Sequence, residues 1–265
     1  MAVFATAVAA PSAGAAVLTQ YSFEGNLLDT AAGGATADHM TAAANNGVLS
    51  TVYVPGVPGL GGQAVQVGLA PGDASVLTAP DSNDLDLATA SWTMEAFVQR
   101  TANLNQEWER FATKWFGPPG SGLQYHWAFR DQAAGVAPKS QDVFTNGGQR
   151  INQSATPDVP EGQWMHVALT NDNVNGLRAW QDGLVVGSAA YQTIIAGSFG
   201  LKIGNGPVTG NEALQFHGWV DEFLIHDVSQ DSAYMAGRAA LLVPEPSAFL
   251  LFGVGGLGLM LRRRR

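Results

Sequence analysis

The sequence GQWMHVALTNDNVNGLRAWQDGLVV, from Gly162 to Val186, decides the fold class. Its first part, Trp164 to Asn171, is a short run rich in apolar residues that follows a Gly-containing turn, as expected for a strand. Its second part has two more such runs on either side of Asp182-Gly183, and an Asp-Gly step in that place is a strong hairpin signal. We therefore predict that Leu177 to Trp180 and Leu184 to Val186 pair as antiparallel strands.

Segments of the same kind recur along the chain, whereas helical periodicity between the two ends is confined to Gln230 to Leu242. Many short strands with turns between them are typical of an antiparallel sandwich, and 32 Gly and 13 Pro supply the turns. The sequence predicts an all-β fold. The further predicted strands are Val17 to Phe23, Ala64 to Gly68, Ala74 to Thr78, Ser91 to Arg100, Phe111 to Trp115, Leu123 to Arg130, Phe199 to Ile203 and Gly218 to Asp227.

Composition excludes several classes of protein. The chain of 265 residues is 46% hydrophobic and 13% charged, so it is folded rather than disordered. Its formal charge of −9 and the lack of a basic stripe argue against nucleic-acid binding. The absence of cysteine excludes disulfides and thiolate zinc sites.

The C-terminal end has three parts in order: Pro244-Glu245-Pro246, an apolar run from Ala248 to Leu261, and the basic residues Arg262, Arg263, Arg264 and Arg265. The apolar run of 14 residues is shorter than the roughly 20 that span a bilayer, so transient insertion as a helix is expected. This tail resembles the PEP-CTERM sorting signal of Gram-negative bacteria. The resemblance implies processing by the membrane transpeptidase exosortase, and a final location at the cell surface or in the extracellular matrix.

The N-terminal end, residues 1–16, is rich in Ala and Val and is predicted to be a signal peptide without the usual basic start. An Ala-rich first helix is the alternative. With the tail at 244–265, this leaves 17–243 as the predicted domain.

The predicted domain resembles LamG-like (laminin G, concanavalin A-like) jelly-roll domains. The resemblance implies a jelly-roll sandwich over nearly the whole region between the two ends. The segments that carry it are Tyr21 to Asp29, Gly61 to Val65, Leu85 to Leu87, Ser91 to Val98, Gly162 to Thr170, Leu177 to Val186 and Phe216 to Ile225.

No recognisable catalytic machinery accompanies these segments. A glycosidase of this fold would carry two carboxylates on one strand, but Glu95 stands alone on its strand. The five histidines form neither an H-E-x-x-H motif nor a close pair, so zinc hydrolysis lacks its ligands. His166 is expected to be a hydrogen-bonded core residue.

One structural calcium ion is the predicted cofactor. In LamG-like domains such an ion commonly ties the first strand to the last, and the matching positions here are Glu24 and Asp221. Calcium binds six to eight oxygens from carboxylates and loop carbonyls. The alternative is that Glu24 and Asp221 are solvated, or that Asp221 only hydrogen-bonds a neighbouring turn.

Sugar binding is the function most in keeping with this fold, because exposed aromatic rings stack on the apolar faces of sugars. The predicted aromatic platform consists of Trp108, Trp115, Tyr125 and Trp127. The alternative is that these rings are core residues. We therefore predict an exported, non-catalytic module whose partners are exosortase and a polysaccharide or surface glycan. A glycoside hydrolase with an unrecognised site and a passive structural matrix component remain as alternatives.

Overall fold

The computed structural model describes residues 15–35, 37–44, 52–68, 75–101, 108–115, 123–133, 136–146, 148–152, 156–204 and 215–243. The predicted signal segment, apart from 15–16, and the sorting tail from 244 onward lie outside these ranges. The strands are β1 (Val17–Tyr21), β2 (Thr41–Ala44), β3 (Tyr53–Pro55), β4 (Gln63–Val67), β5 (Ser75–Thr78), β6 (Trp92–Arg100), β7 (Trp108–Lys114), β8 (Tyr125–Ala133), β9 (Val136–Thr145), β10 (Gly148–Ile151), β11 (Trp164–Asp172), β12 (Gly176–Gln181), β13 (Leu184–Ala189), β14 (Lys202–Ile203) and β15 (Gly218–His226). A 3-10 helix covers Asn83–Leu85, and one α-helix, α1, covers Ser232–Ala240.

The strands form two antiparallel sheets, which confirms the predicted β-sandwich. Sheet A has the order β13-β12-β11-β6-β15-β4-β3, with β1 also paired to β15. Sheet B has the order β10-β9-β8-β7-β14-β5-β2. The two sheets bury one core between them, to which both contribute their inward-facing apolar side chains.

The predicted hairpin is confirmed by β12 and β13, which pair antiparallel around the turn. Asp182 has a φ of 48° and Gly183 a φ of 81°, the left-handed conformations that a two-residue hairpin turn requires. The Asp182 side chain also accepts a hydrogen bond of 2.9 Å from the backbone N–H of His166 in β11. The turn is thereby tied to the next strand of sheet A.

The helix α1 covers the outer face of sheet A. Asp231 caps its N-terminus by accepting a 2.9 Å hydrogen bond from the backbone N–H of Tyr234. Met235 is fully buried against Ala168 and Trp180. Within the described ranges, no helix is long and apolar enough to cross a membrane.

Beneath α1 lies Glu95, whose side chain is fully buried on β6. Its carboxylate accepts hydrogen bonds from His166 Nε2 at 2.6 Å, His226 Nε2 at 2.9 Å, Tyr234 Oη at 2.5 Å and Arg238 Nε at 3.1 Å. Burial alone would raise the pKa of Glu95, but Arg238 and the two histidines outweigh it and hold the pKa well below its ordinary value. The outer face of β6 is therefore covered by α1, and Arg238 of the helix compensates the charge of Glu95.

A second buried ion pair joins the two sheets. Arg100 of β6 donates from Nε and Nη2 to the Glu109 carboxylate of β7 at 2.7 and 2.8 Å, and from Nη1 to the Val159 carbonyl at 2.6 Å. Both side chains are almost completely buried. Glu109 is therefore a structural partner of Arg100 inside the sandwich.

Candidate functional site

The outer face of sheet B, which points away from the core, carries the candidate site. Side chains alternate along each strand, so Trp127 and Phe129 of β8 enter the core while His126 and Arg130 lie on the outer face. Strand pairing then places side chains of four strands in one row. Their order across the sheet is Lys202 (β14), Thr113 (β7), His126 (β8) and Phe144 (β9).

Four rings on this face contact one another, and we call them the aromatic patch: Trp108, Trp115, His126 and Phe144. The His126 ring is the centre, with ring centroids at 5.8 Å from Trp108, 5.9 Å from Trp115 and 5.6 Å from Phe144. Trp108 also lies 5.7 Å from Phe144. Trp108 and Phe144 are half-buried, whereas Trp115 is only 8% exposed.

The structure divides the predicted aromatic platform between two faces. Trp108 and Trp115 belong to the aromatic patch, but Tyr125 and Trp127 lie in the core and were wrongly placed on a binding surface. Tyr125 Oη donates to the Leu85 carbonyl at 3.1 Å, and Trp127 Nε1 donates to Gln141 Oε1 at 3.1 Å. The physical reason is the alternation of β8, which sends 125 and 127 inward.

Two guanidinium groups lie on the aromatic patch. Arg130 Cζ is 4.0 Å from the centroid of the Trp108 ring, and its Nη1 is 3.6 Å from Asp142 Oδ2. Arg110 Cζ is 5.7 Å from the centroid of the Trp115 ring. Cations in these positions interact favourably with an indole face.

Several polar atoms of this face are buried without a hydrogen-bond partner. Among the described residues they are Nε2 of His126, Nε and Nη1 of Arg110, and Oδ2 of Asp142. Burial and the neighbouring Arg110 charge lower the pKa of His126 to about 3, so its ring is neutral at physiological pH. Burial raises the pKa of Asp142 to about 6, although Gln149 and Arg130 oppose the shift. Unpaired buried polar groups are costly, so this cluster is the candidate site on sheet B.

The two residues predicted to bind calcium hold the same loop. Glu24 Oε2 accepts a hydrogen bond from the Gln63 backbone N–H at 3.1 Å, and Asp221 Oδ2 accepts one from Val57 at 3.0 Å. Burial raises the pKa of Asp221 to about 7, and the charges of Glu222 and Glu24 add to that effect. Such an uncompensated buried carboxylate suits a cation. Among the described residues, however, no group of three or more His, Asp or Glu side chains is arranged to hold a metal. The calcium site stays a prediction.

His126, Phe144, Arg110 and Lys202 were not among the predicted site residues. The alternation around Trp127 is a signal that could have placed His126 on the outer face. Phe144 and Lys202 reach the site only because β9 and β14 pair with β8 and β7, and that pairing cannot be read from local sequence.

Comparison with known families gives two matches. The family model for the concanavalin A-like lectin/glucanases superfamily, Laminin_G_3, matches residues 71–233. The model for the PEP-CTERM protein-sorting motif matches residues 242–265. No curated protein matches the sequence.

Solved structures share the fold at low sequence identity. Domain 4 of the extracellular arabinanase AbnA from Geobacillus stearothermophilus, in complex with arabinotriose, is similar with a TM-score of 0.61 and 16% identity, over 85% of this chain and 98% of that one. The binding domain of Paraclostridial Mosquitocidal Protein 1 has a TM-score of 0.59 and 9% identity, over 84% of this chain and 52% of that one. The botulinum neurotoxin serotype C1 binding domain has a TM-score of 0.55 and 11% identity, over 86% and 52%. This chain thus spans about half the length of the two toxin domains.

Proposed function

This chain belongs to the concanavalin A-like lectin/glucanases superfamily, and from that premise we propose that it is a non-catalytic module that binds a saccharide on the outer face of sheet B. One observation carries the proposal: the aromatic patch surrounds a buried imidazole nitrogen, Nε2 of His126, that has no hydrogen-bond partner among the described residues. A sugar presents an apolar face to aromatic rings and hydroxyl groups to polar atoms, so both features of this surface are matched by one ligand class.

The structural neighbours support the same class of ligand. The arabinanase domain was solved with arabinotriose, and a study of botulinum neurotoxin type C describes interaction with two ganglioside molecules. Those ligands belong to those proteins. At such low identity the likeness concerns the fold, and the argument for this chain rests on its own aromatic patch.

The position of the carboxylates favours binding over hydrolysis. Glu95 is covered by α1, and Glu109 is paired with Arg100 inside the sandwich. A retaining glycosidase needs two carboxyl groups about 5–5.5 Å apart at the scissile bond, and an inverting one about 6.5–9.5 Å. On the described outer face of sheet B, Asp142 is the one acidic group beside the aromatic patch, and it is held by Arg130 and Gln149.

The tail supports a role outside the cytoplasm. The PEP-CTERM motif at 242–265 indicates an exported protein sorted to the cell envelope of a Gram-negative bacterium, and it implies processing by exosortase. Within this proposal, the arginine-capped apolar run holds the protein transiently at the inner membrane, and the domain is then released to the cell surface or the extracellular matrix.

A structural calcium ion forms the last part of the proposal. Glu24 and Asp221 would hold it on the loop between Gly56 and Gln63, with loop carbonyls as further ligands. Calcium should raise the melting temperature of the wild-type protein, and Asp221→Asn should abolish that rise. An unchanged melting temperature with calcium and with chelator would contradict this part alone.

A glycan array with the purified protein tests the main proposal. We expect a defined set of glycans to bind, and Trp108→Ala to lose that binding. Trp164→Ala is the matched control, because Trp164 is half-buried on sheet A. Array signals from wild type that persist in Trp108→Ala would contradict the placement of the site. A protein that binds no glycan would favour a passive matrix component, and release of shorter saccharides would favour the hydrolase.

A further inference from the structure

Two cationic side chains on the outer face of sheet B have no counter-ion among the described residues. Arg110 is half-buried, and its Nε and Nη1 atoms lack hydrogen-bond partners. Lys202 of β14 is also half-buried and forms no ion pair with the described part of the chain. Burial lowers the pKa of Arg110 and that of Lys202, as expected for cations that lose water without gaining an anion.

Both cations lie beside the centre of the aromatic patch. Lys202 pairs with Thr113, and Thr113 pairs with His126, so Lys202 and His126 are two strands apart, or about 10 Å between backbones. Arg110 lies over the Trp115 ring, and its charge acts on the His126 imidazole. A ligand stacked on the patch would therefore come within reach of both.

Among the described residues, the Asp142 carboxylate of this face is already paired. Asp142 Oδ2 lies 3.6 Å from Arg130 Nη1, and Asp142 Oδ1 accepts a 2.6 Å hydrogen bond from Gln149 Nε2. His126 is neutral at physiological pH. The described part of the face keeps the unpaired positive charges of Arg110 and Lys202, although the whole chain carries a formal charge of −9.

We propose that the saccharide bound at this face is acidic, with a ring that stacks on Trp108 and a carboxylate that pairs with Arg110 and Lys202. This inference rests on the proposed saccharide-binding function of the same face. A carboxylate offers acceptors to the unpaired N–H groups and restores the electrostatic energy that both cations lose on burial. A neutral saccharide supplies acceptors but leaves both charges uncompensated.

Calorimetric titration of the full chain with paired probes tests the inference. The probes are oligosaccharides of galacturonate, glucuronate, mannuronate and guluronate, each compared with its carboxyl-reduced neutral counterpart. We expect at least one acidic probe to bind about tenfold or more tightly than its neutral twin at low ionic strength, and added salt to reduce this preference. Arg110→Gln and Lys202→Gln should each bring the ratio close to one, whereas Arg110→Lys should retain part of it.

Arg178→Gln is the matched control, because Arg178 lies in β12 of sheet A and, within the described part of the chain, donates only to Asn175 at 2.8 Å. Circular dichroism and melting curves establish that each variant is folded. Equal affinity of wild type for acidic and neutral probes, or an equal loss of affinity for both in Arg110→Gln, would overturn the proposed preference for acidic saccharides without contradicting saccharide binding. Binding of neutral glycans alone would likewise overturn only the acidic preference. A protein that binds neither these probes nor any array glycan refutes the proposed function as well.

Discussion

Replacing Arg238 by Met tests whether α1 is held on sheet A by the buried charge of Glu95. Arg238 Nε lies 3.1 Å from the Glu95 carboxylate, and the Arg238 side chain is only 14% exposed. Removing one partner of a buried ion pair costs about 3–5 kcal/mol, because the other charge stays buried. Three other donors still bind the Glu95 carboxylate, so we expect a loss of stability at the lower end of this range, about 3 kcal/mol. At about 2–4 °C per kcal/mol for a domain of this size, the melting temperature should fall by about 6–12 °C.

The assay is urea denaturation at neutral pH, followed by far-ultraviolet circular dichroism. Arg178→Met is the control for the loss of an arginine, and it should change the free energy of unfolding by less than about 0.5 kcal/mol. The double variant Glu95→Gln/Arg238→Met removes both charges and should recover most of the loss. A free energy of unfolding for Arg238→Met within about 1 kcal/mol of wild type would refute the reasoning.

The loss of stability in Arg238→Met should also depend on pH. The pKa of Glu95 is depressed in the folded wild type. The ionised carboxylate therefore adds to the free energy of unfolding above the ordinary carboxyl pKa, and this stabilisation is lost as the pH falls through the pKa that Glu95 has in the folded protein. Without Arg238 that depression is reduced. The deficit of Arg238→Met should therefore shrink as the pH falls below about 4.5.

Three further predictions concern other regions. Gly62→Ala should cost more stability than Gly61→Ala in urea denaturation: both glycines have φ near 70°, but only at Gly62 would a Cβ overlap the Glu24 carboxylate. Chelator-treated protein should lose stability as the pH rises from 4 to 8, by up to about 4 kcal/mol, because the pKa of Asp221 is raised to about 7 and its proton is bound more tightly in the folded state. Asp221→Asn should flatten that profile, and an unchanged profile would contradict the assignment. Trp127→Ala should cost about 3–5 kcal/mol in the same denaturation assay, whereas Trp108→Ala should cost clearly less, because only Trp127 is fully buried.

The fold class follows from local signals that are strong in this chain. The Asp182-Gly183 turn depends on neighbouring residues alone, and the hairpin predicted from it is confirmed. The covering of Glu95 was not foreseen. The partners His226 and Arg238 are 131 and 143 residues away in sequence, and the residues around Glu95 do not predict these contacts.

The candidate site was predicted only in part, for the same reason. The density of aromatic residues between 108 and 127 points to β7 and β8, which carry Trp108 and His126 of the aromatic patch. Density alone does not say which face a ring occupies, so Tyr125 and Trp127 were grouped with Trp108 and Trp115. The placement of Lys202 on the same face as His126 depends on strand order in sheet B, which is a property of the whole fold.

The position of α1 determines the side of the sandwich from which the chain continues after the domain. The helix lies on sheet A, and the carbonyl of Leu241 just after it accepts a 3.0 Å hydrogen bond from Gly59, so the chain leaves the domain from the sheet A side. The aromatic patch lies on sheet B, on the opposite side of the sandwich. A molecule tethered by its C-terminal end would therefore turn sheet A toward the tether and direct the aromatic patch outward, toward whatever surrounds the cell.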